Sequence, residues 1–349
     1  MPSSPGLPAP APAPGPWPPR AQLGPGGSGA WQPQMVAHPH PEPRSYPLML
    51  RTWDYRWWKP VVGIVLGVVG FLVLQVLLLG VLAVAVAIQG GTGSFSDRLT
   101  QATSTTSVTP ASMLYLNLSL ASLTLVCMAV VRLVHRLRPR WLASVLPGIR
   151  WRFLFACLGL AVVALVVAVV VGAVLPHDPN ELGGKVNHLD GRLVATGIVI
   201  LFTTPLQAIG EEYAFRGYLM QAFGSLTRSR VVALLATSTL FALAHGTQNL
   251  PLFLDRFAFG LMAGGVVILV GGLEAGIALH ILNNLLAFGL AIAFGDLQGT
   301  LTVSGVSWWQ LPVTVVQNGV YLVLVLLMAR RMGLRNTSAP PVAPATGAA

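Results

Sequence analysis

The sequence predicts an all-α polytopic membrane protein, a bundle of about eight transmembrane helices with a polar cavity inside the membrane. Three observations carry this. The 349 residues are 54% hydrophobic and only 9% charged, with a mean hydropathy of +0.69, whereas a soluble domain carries about a quarter charged residues. The apolar residues fall into stretches of roughly 20, the length that crosses a bilayer. A few ionisable side chains sit inside those stretches, where each costs at least ~2.5 kcal/mol on insertion scales.

Residues 1–47 hold 15 of the 27 prolines, with Gly, Ala and Gln and no apolar periodicity. Such a segment buries too little surface to offset its ordering entropy and reads as a disordered cytoplasmic tail. It lacks the charged start and directly following apolar run of a signal peptide. Its PxxP-like stretches suit a partner, but a solubilising tail is the simpler reading. The apolar stretches then run over 60–88, 111–131, 152–175, 193–224, 230–246, 257–271, 274–294 and 309–329. The fifth and sixth are short or interrupted by glycine, so seven spans are also compatible. The division is three helices over 48–192, a core of four over 193–295, a last helix over 296–335 and a second disordered tail over 336–349.

The net charge of +10 does not indicate nucleic acid, because the basic residues form short clusters between apolar runs rather than one patch. With the N-terminus inside, 17 of the 21 Lys and Arg residues fall on cytoplasmic segments; Arg98, Lys185, Arg192 and Arg256 fall outside. That bias predicts a multi-pass protein of the plasma membrane with both termini cytoplasmic, its basic loops facing anionic headgroups. Trp57, Trp58, Trp151, Trp308 and Trp309 stand at span ends, where indole rings favour the interface. Cys127 and Cys157 lie in apolar runs and read as buried thiols.

The intramembrane polar residues are Glu211, Glu212 and Arg216 in GEEYAFRGYL, His245 in FALAHG, and His280, Asn283 and Asn284 in HILNN. At ~100° per residue, Glu212 and Arg216 share a helix face. Arg216 is then expected to neutralise Glu212, leaving Glu211 free as a general base for water. If the segments flanking 225–230 form an antiparallel hairpin, Glu211 and His245 are level, about 25 Å from the turn at ~1.5 Å per residue. His280 and Asn284 share a face of the seventh span. On straight-helix arithmetic His280 is shallower, so the sixth or seventh span must tilt or start deeper. Gly260, Gly264, Gly265 and Gly276 are expected to allow close backbone approach there. A lone intramembrane His or Glu–Arg pair is usually structural, but this ordered set points to an active-site cavity.

The ordered motifs Glu-Glu-x-x-x-Arg, Phe-x-x-x-His and His-x-x-x-Asn, filled by Glu211, Glu212 and Arg216, by Phe241 and His245, and by His280 and Asn284, resemble those of the CPBP family. That family comprises CAAX-processing endoproteases and bacteriocin-processing or immunity proteins, and the resemblance covers about residues 195–290. It implies hydrolysis of a peptide bond in a membrane-associated or lipidated peptide or protein. It further implies that Glu211 and His245 activate water, that His280 and Asn284 hold the oxyanion, and that Glu212 and Arg216 position the first pair. The expectation is no cofactor. If a metal is used, zinc on Glu211, His245 and His280 is the candidate set, although no HExxH supplies the usual spacing. The Ala-, Val-, Arg- and Pro-rich composition suits a GC-rich bacterial genome. A bacterial cell lacks ordinary prenylated CAAX proteins, so pheromones, bacteriocin leaders and membrane-protein tails are all compatible substrates.

Other intramembrane protease classes fit poorly. LDG at 189–191 lies in a polar loop, Ser304–Gly305 lacks the leading glycine of a Gly-x-Ser-Gly motif, and Asp296 stands alone near a span end. Two rivals remain: a proton- or ion-coupled transporter using the same cluster as a relay, and a catalytically silent immunity or scaffold protein.

Overall fold

The computed structural model describes residues 39–176, 186–188, 190–294 and 297–340. Among them the regular elements are helical, with isolated bridges only at Ser45–Thr337 and Ser144–Gly272. The helices are α1 (Trp58–Gln89), α2 (Phe95–Thr103), α3 (Pro110–Leu133), α4 (Trp151–Val174), α5 (Gly191–Thr227), α6 (Arg230–Leu243), α7 (Leu250–Val270), α8 (Glu274–Phe294), α9 (Leu297–Leu301) and α10 (Gln310–Arg331). Their starts follow local chemistry. Thr109 and Ser112 form a capping box at α3, and Ser229 and Asn249 cap α6 and α7 through the amides of Val232 and Leu252, satisfying donors that a helix start leaves free.

Seven helices (α1, α3, α4, α5, α7, α8 and α10) are long and apolar enough to cross a membrane. The fifth expected span is shorter than predicted. α6 has 14 residues, about 21 Å at ~1.5 Å per residue, against a hydrocarbon core of about 30 Å. Ser338 N donates to Arg44 O at 2.8 Å and Arg44 N to Ser338 Oγ at 2.9 Å, so the segments before α1 and after α10 lie together.

Helix α3 lies along α5, α5 along α8, α8 along α4, α4 along α10, and α10 along α7; α6 bridges α7 and the second half of α5. α1 sits outside this ring on α3, and only 6% of its most apolar window is buried, leaving its surface for lipid. The α3–α5 crossing is close because Gly210 has no side chain: a Cβ there would run into the carbonyl oxygen of Leu120.

Residues 39–47 and 336–340, which composition alone places in the two tails, fall among the described residues. Residues 1–38 and 341–349 lie outside the described residues. Tyr46, Met49 and Leu50 are fully buried or nearly so, and Arg51 Nε and Tyr55 Oη both donate to Ser225 O at 2.9 Å. Ser338 is buried too. A few apolar residues among the prolines suffice to seat this segment against the end of α5, which a window-averaged composition hides.

The 135–150 segment folds inward in the same region. Leu142, Ser144 and Val145 are fully buried. Val145 N donates to Gly271 O at 2.8 Å, and Leu273 N to Ala143 O at 2.9 Å. The turn between α7 and α8 is thereby docked beneath a loop instead of standing at the level of the α5–α6 turn. That resolves the depth mismatch of His280: α8 starts deeper. An ion pair fixes the joint, with Arg150 Nε 2.9 Å from Glu274 Oε1 and Nη2 2.6 Å from Oε2. Cys127 and Cys157 are free and buried.

Candidate active site

Right after Glu212 the backbone leaves α-helical register for a π-helical turn, Tyr213–Leu219. Such turns are rare and concentrate at functional sites. Here it carries Arg216, fully buried like Glu212, with Nη1 2.7 Å from Glu212 Oε1. The guanidinium lies 4.0 Å from the Phe241 ring centroid and 5.5 Å from that of Phe259, so aromatic faces supply the rest of its environment.

His280 joins both carboxylates. Its Nδ1 is 2.9 Å from Glu212 Oε1 and its Nε2 is 3.3 Å from Glu211 Oε2. A carboxylate only accepts, so Nδ1–H donates to Glu212. The Glu211 contact is looser: Glu211 Oε2 has no hydrogen-bond partner among the described residues. Gly276 makes room for the arrangement: a Cβ there would sit 2.7 Å from Glu212 Oε2. Gly265, in contrast, would meet nothing if a Cβ were added, so it is not a close-approach position.

His245 follows the end of α6, in an exposed stretch over 243–247. Its Nδ1 is 2.8 Å from Phe241 O. Because a carbonyl accepts, Nδ1 carries the proton and Nε2 presents a lone pair when the ring is neutral. The Phe241 ring stands edge-on to both imidazoles, 4.8 Å from His245 and 5.9 Å from His280. Asn284 Nδ2 donates to Gln207 Oε1 at 3.0 Å.

Glu211, His245, His280 and Asn284 line one cavity of about 370 Å³, whereas Glu212 and Arg216 lie behind its wall. Thr300, Leu301 and Val303 line the cavity too, so it extends toward the α6–α7 and α9–α10 connections. These are joined by Asn249 N donating to Ser304 O at 2.7 Å. Among the described residues no three His, Cys, Asp or Glu side chains converge as ligands.

Several lining residues escaped the sequence reading. Arg256 counts as an outer residue when the sixth span is taken as 257–271, but α7 begins at Leu250, and both Arg256 and the neighbouring Asp255 line the cavity. Asp255 Oδ1 accepts a short hydrogen bond from Thr314 Oγ1, and Arg256 Nη1 donates to Gln248 Oε1 at 2.9 Å. Their charge suits a polar cavity as well as a loop, and hydropathy does not separate the two. Gln207, Gln317 and Asn318 also line it; as neutral amides they pass a search for ionisable groups. Asp296 and Leu189 of LDG lie outside the described residues, as do Lys185 and Arg20 of the charge tally.

Residues 194–286 match the family model described as type II CAAX prenyl endopeptidase Rce1-like. The core of this chain is similar to that family over this stretch. The Rce1-like segment runs from α5 into α8 and contains all six site residues, while α1–α4 and α10 lie outside it. A 145-residue stretch is also 26% identical to YyaK of Bacillus subtilis (strain 168), an uncharacterized protein, covering 38% of this chain and 48% of YyaK. The chain thus spans about half the length of this curated relative. No solved structure matches the chain.

Proposed function

We propose that this protein is an intramembrane endopeptidase that hydrolyses a peptide bond in a membrane-associated or lipidated substrate, with a water activated by Glu211 and His245. The observation that carries the reading is the wiring of the carboxylates. Glu212 receives Arg216 and His280 at 2.7 and 2.9 Å, while Glu211 faces the cavity with His280 at 3.3 Å. One carboxylate is committed to holding the site together; the other is available to substrate and water.

In this reading water lies between Glu211 and His245 Nε2. Its oxygen attacks the carbonyl carbon and its proton passes to Glu211. The forming oxyanion is received by His280 Nε2–H and by the second N–H of Asn284 Nδ2. Collapse of the tetrahedral intermediate breaks the C–N bond, and the Glu211 proton goes to the leaving amine. No step requires a metal.

The test is cleavage of a panel of lipid-modified and amphipathic peptides by the purified protein and by Glu211→Ala and His245→Ala, with and without a strong chelator. Metal content is read by mass spectrometry of the same samples. Cleavage lost in both variants and indifferent to chelator supports the account; loss on chelation restored by zinc overturns its metal-free part. Ion flux into liposomes with no proteolysis would favour the relay instead.

A further inference from the structure

The last helix lies outside the Rce1-like segment, yet it presents polar residues to the cavity at helical spacing. Gln310, Thr314, Gln317 and Asn318 stand at positions i, i+4, i+7 and i+8 of α10, and all four line the cavity that holds Glu211. In a membrane helix such a stripe is costly unless its groups find partners. Three do: Gln310 Nε2 donates to Thr314 Oγ1 at 3.4 Å, Thr314 to Asp255, and Gln317 Nε2 to Asn283 Oδ1 at 3.2 Å. Asn318 does not. It is 7% exposed, and neither its amide nitrogen nor its amide oxygen has a hydrogen-bond partner among the described residues.

An unpartnered buried amide is a donor and an acceptor held together at a fixed distance. Leaving both unmade is expensive in a low-dielectric interior. The matching ligand is a group that presents one N–H and one C=O on the same side, as a single residue of an extended peptide does. We infer that Asn318 of α10 is a substrate-positioning residue that pairs with the backbone N–H and C=O of one residue of an extended peptide threaded through the cavity past Glu211. Like the peptidase reading on which it rests, it concerns peptide; unlike that reading it concerns a residue distant in sequence from the motifs and takes no part in the proton transfers. Backbone pairing of this kind reads the course of the chain rather than its side chains, so it adds affinity without narrowing sequence preference.

The experiment uses a fluorogenic peptide that the unaltered protein cleaves, together with versions bearing a single N-methyl group at successive backbone nitrogens. Asn318→Leu is expected to keep kcat within about two-fold and to raise KM about ten-fold, the pattern of a lost binding contact made equally in ground and transition states. One N-methyl position near the scissile bond should weaken cleavage by the unaltered protein and leave Asn318→Leu unaffected, a coupling that a structural asparagine would not produce. Asn318→Asp, which keeps shape and acceptor but loses the donor, should fall between. Removing an unpartnered buried amide should leave the detergent melting temperature of Asn318→Leu unchanged or raised; a lower melting temperature with no KM change would make the residue structural and overturn the inference. Cleavage by the unaltered protein with no coupling at any N-methyl position overturns it as well, while sparing the peptidase reading. Failure of the unaltered protein to cleave any peptide overturns both.

Discussion

Glu212 illustrates why one member of a Glu-Glu pair is structural. It is fully buried, accepts from Arg216 and His280 on one oxygen, and has the bare backbone of Gly276 against the other. Breaking a buried ion pair by removing one partner costs about 3–5 kcal/mol, whereas replacing both partners with apolar groups of similar volume can be nearly neutral. Arg216→Met should therefore lower the melting temperature in detergent sharply, and Glu212→Leu/Arg216→Met should recover much of the loss. Equal or additive losses in a double-mutant cycle would contradict the pairing. Gly276→Ala belongs to the same scale. Its methyl would enter the space of Glu212 Oε2, so the carboxylate must shift and carry His280 with it. Cleavage should fall at least ten-fold, since small misplacements at a reacting centre are costly, while unchanged kcat would show that the site tolerates the displacement.

Among the elements, the docked turn between α7 and α8 decides where His280 can reach. Arg150 holds Glu274 through two side-chain hydrogen bonds and also donates Nη1 to Val270 O at 2.9 Å, tying the start of α4 to the end of α7 and the start of α8. Glu274→Gln keeps the shape but uncouples the charges. It should destabilise the protein and lower cleavage through His280, six residues on, even though Glu274 does not line the cavity. Cleavage unchanged despite a lowered melting temperature would separate the joint from the site. This joint was not legible in the sequence, because Arg150 reads as an ordinary loop charge and Glu274 as the first residue of a span. Apolar runs gave the long helices, since length alone separates a spanning segment from a core helix. Depth within the bilayer was not legible, because it depends on the inward fold of 135–150 and on the π-helical turn, which no spacing announces. The motif residues stood out because charge is rare in apolar runs; the amides of α10 did not, because a neutral side chain barely dents a hydropathy average.

Across the whole molecule, the face where the chain ends meet is a packed layer, and His135 is its pH-sensitive member. His135 is buried against Tyr218, its Nε2 3.2 Å from the phenol oxygen, and burial with help from Lys59 pushes its pKa down from 6.5 to about 4. The unfolded chain binds a proton at His135 between those values and the folded one does not, so this contribution is complete above pH 6.5 and lost as pH falls toward 4. At pH 5.5 the loss is about 1 kcal/mol. The melting temperature should therefore drop between pH 7 and 5.5 by more in the unaltered protein than in His135→Asn; equal drops would contradict it. Orientation is testable at the same scale. With the excess of Lys and Arg on the face of the chain ends, Arg228→Cys should react with an impermeant maleimide from the cytoplasmic side and Ser96→Cys from the outside. Both native cysteines are buried and should stay silent. The reverse labelling would invert the molecule.

The central claim is that Glu211 takes the proton of the attacking water. Its most direct test is the single-turnover cleavage rate of Glu211→Gln against the unaltered protein on one peptide, with matched melting temperatures. The account predicts a fall of at least about 1,000-fold, the scale expected for loss of a general base together with the alignment it gives the nucleophile. A rate within ten-fold of the unaltered protein would contradict it.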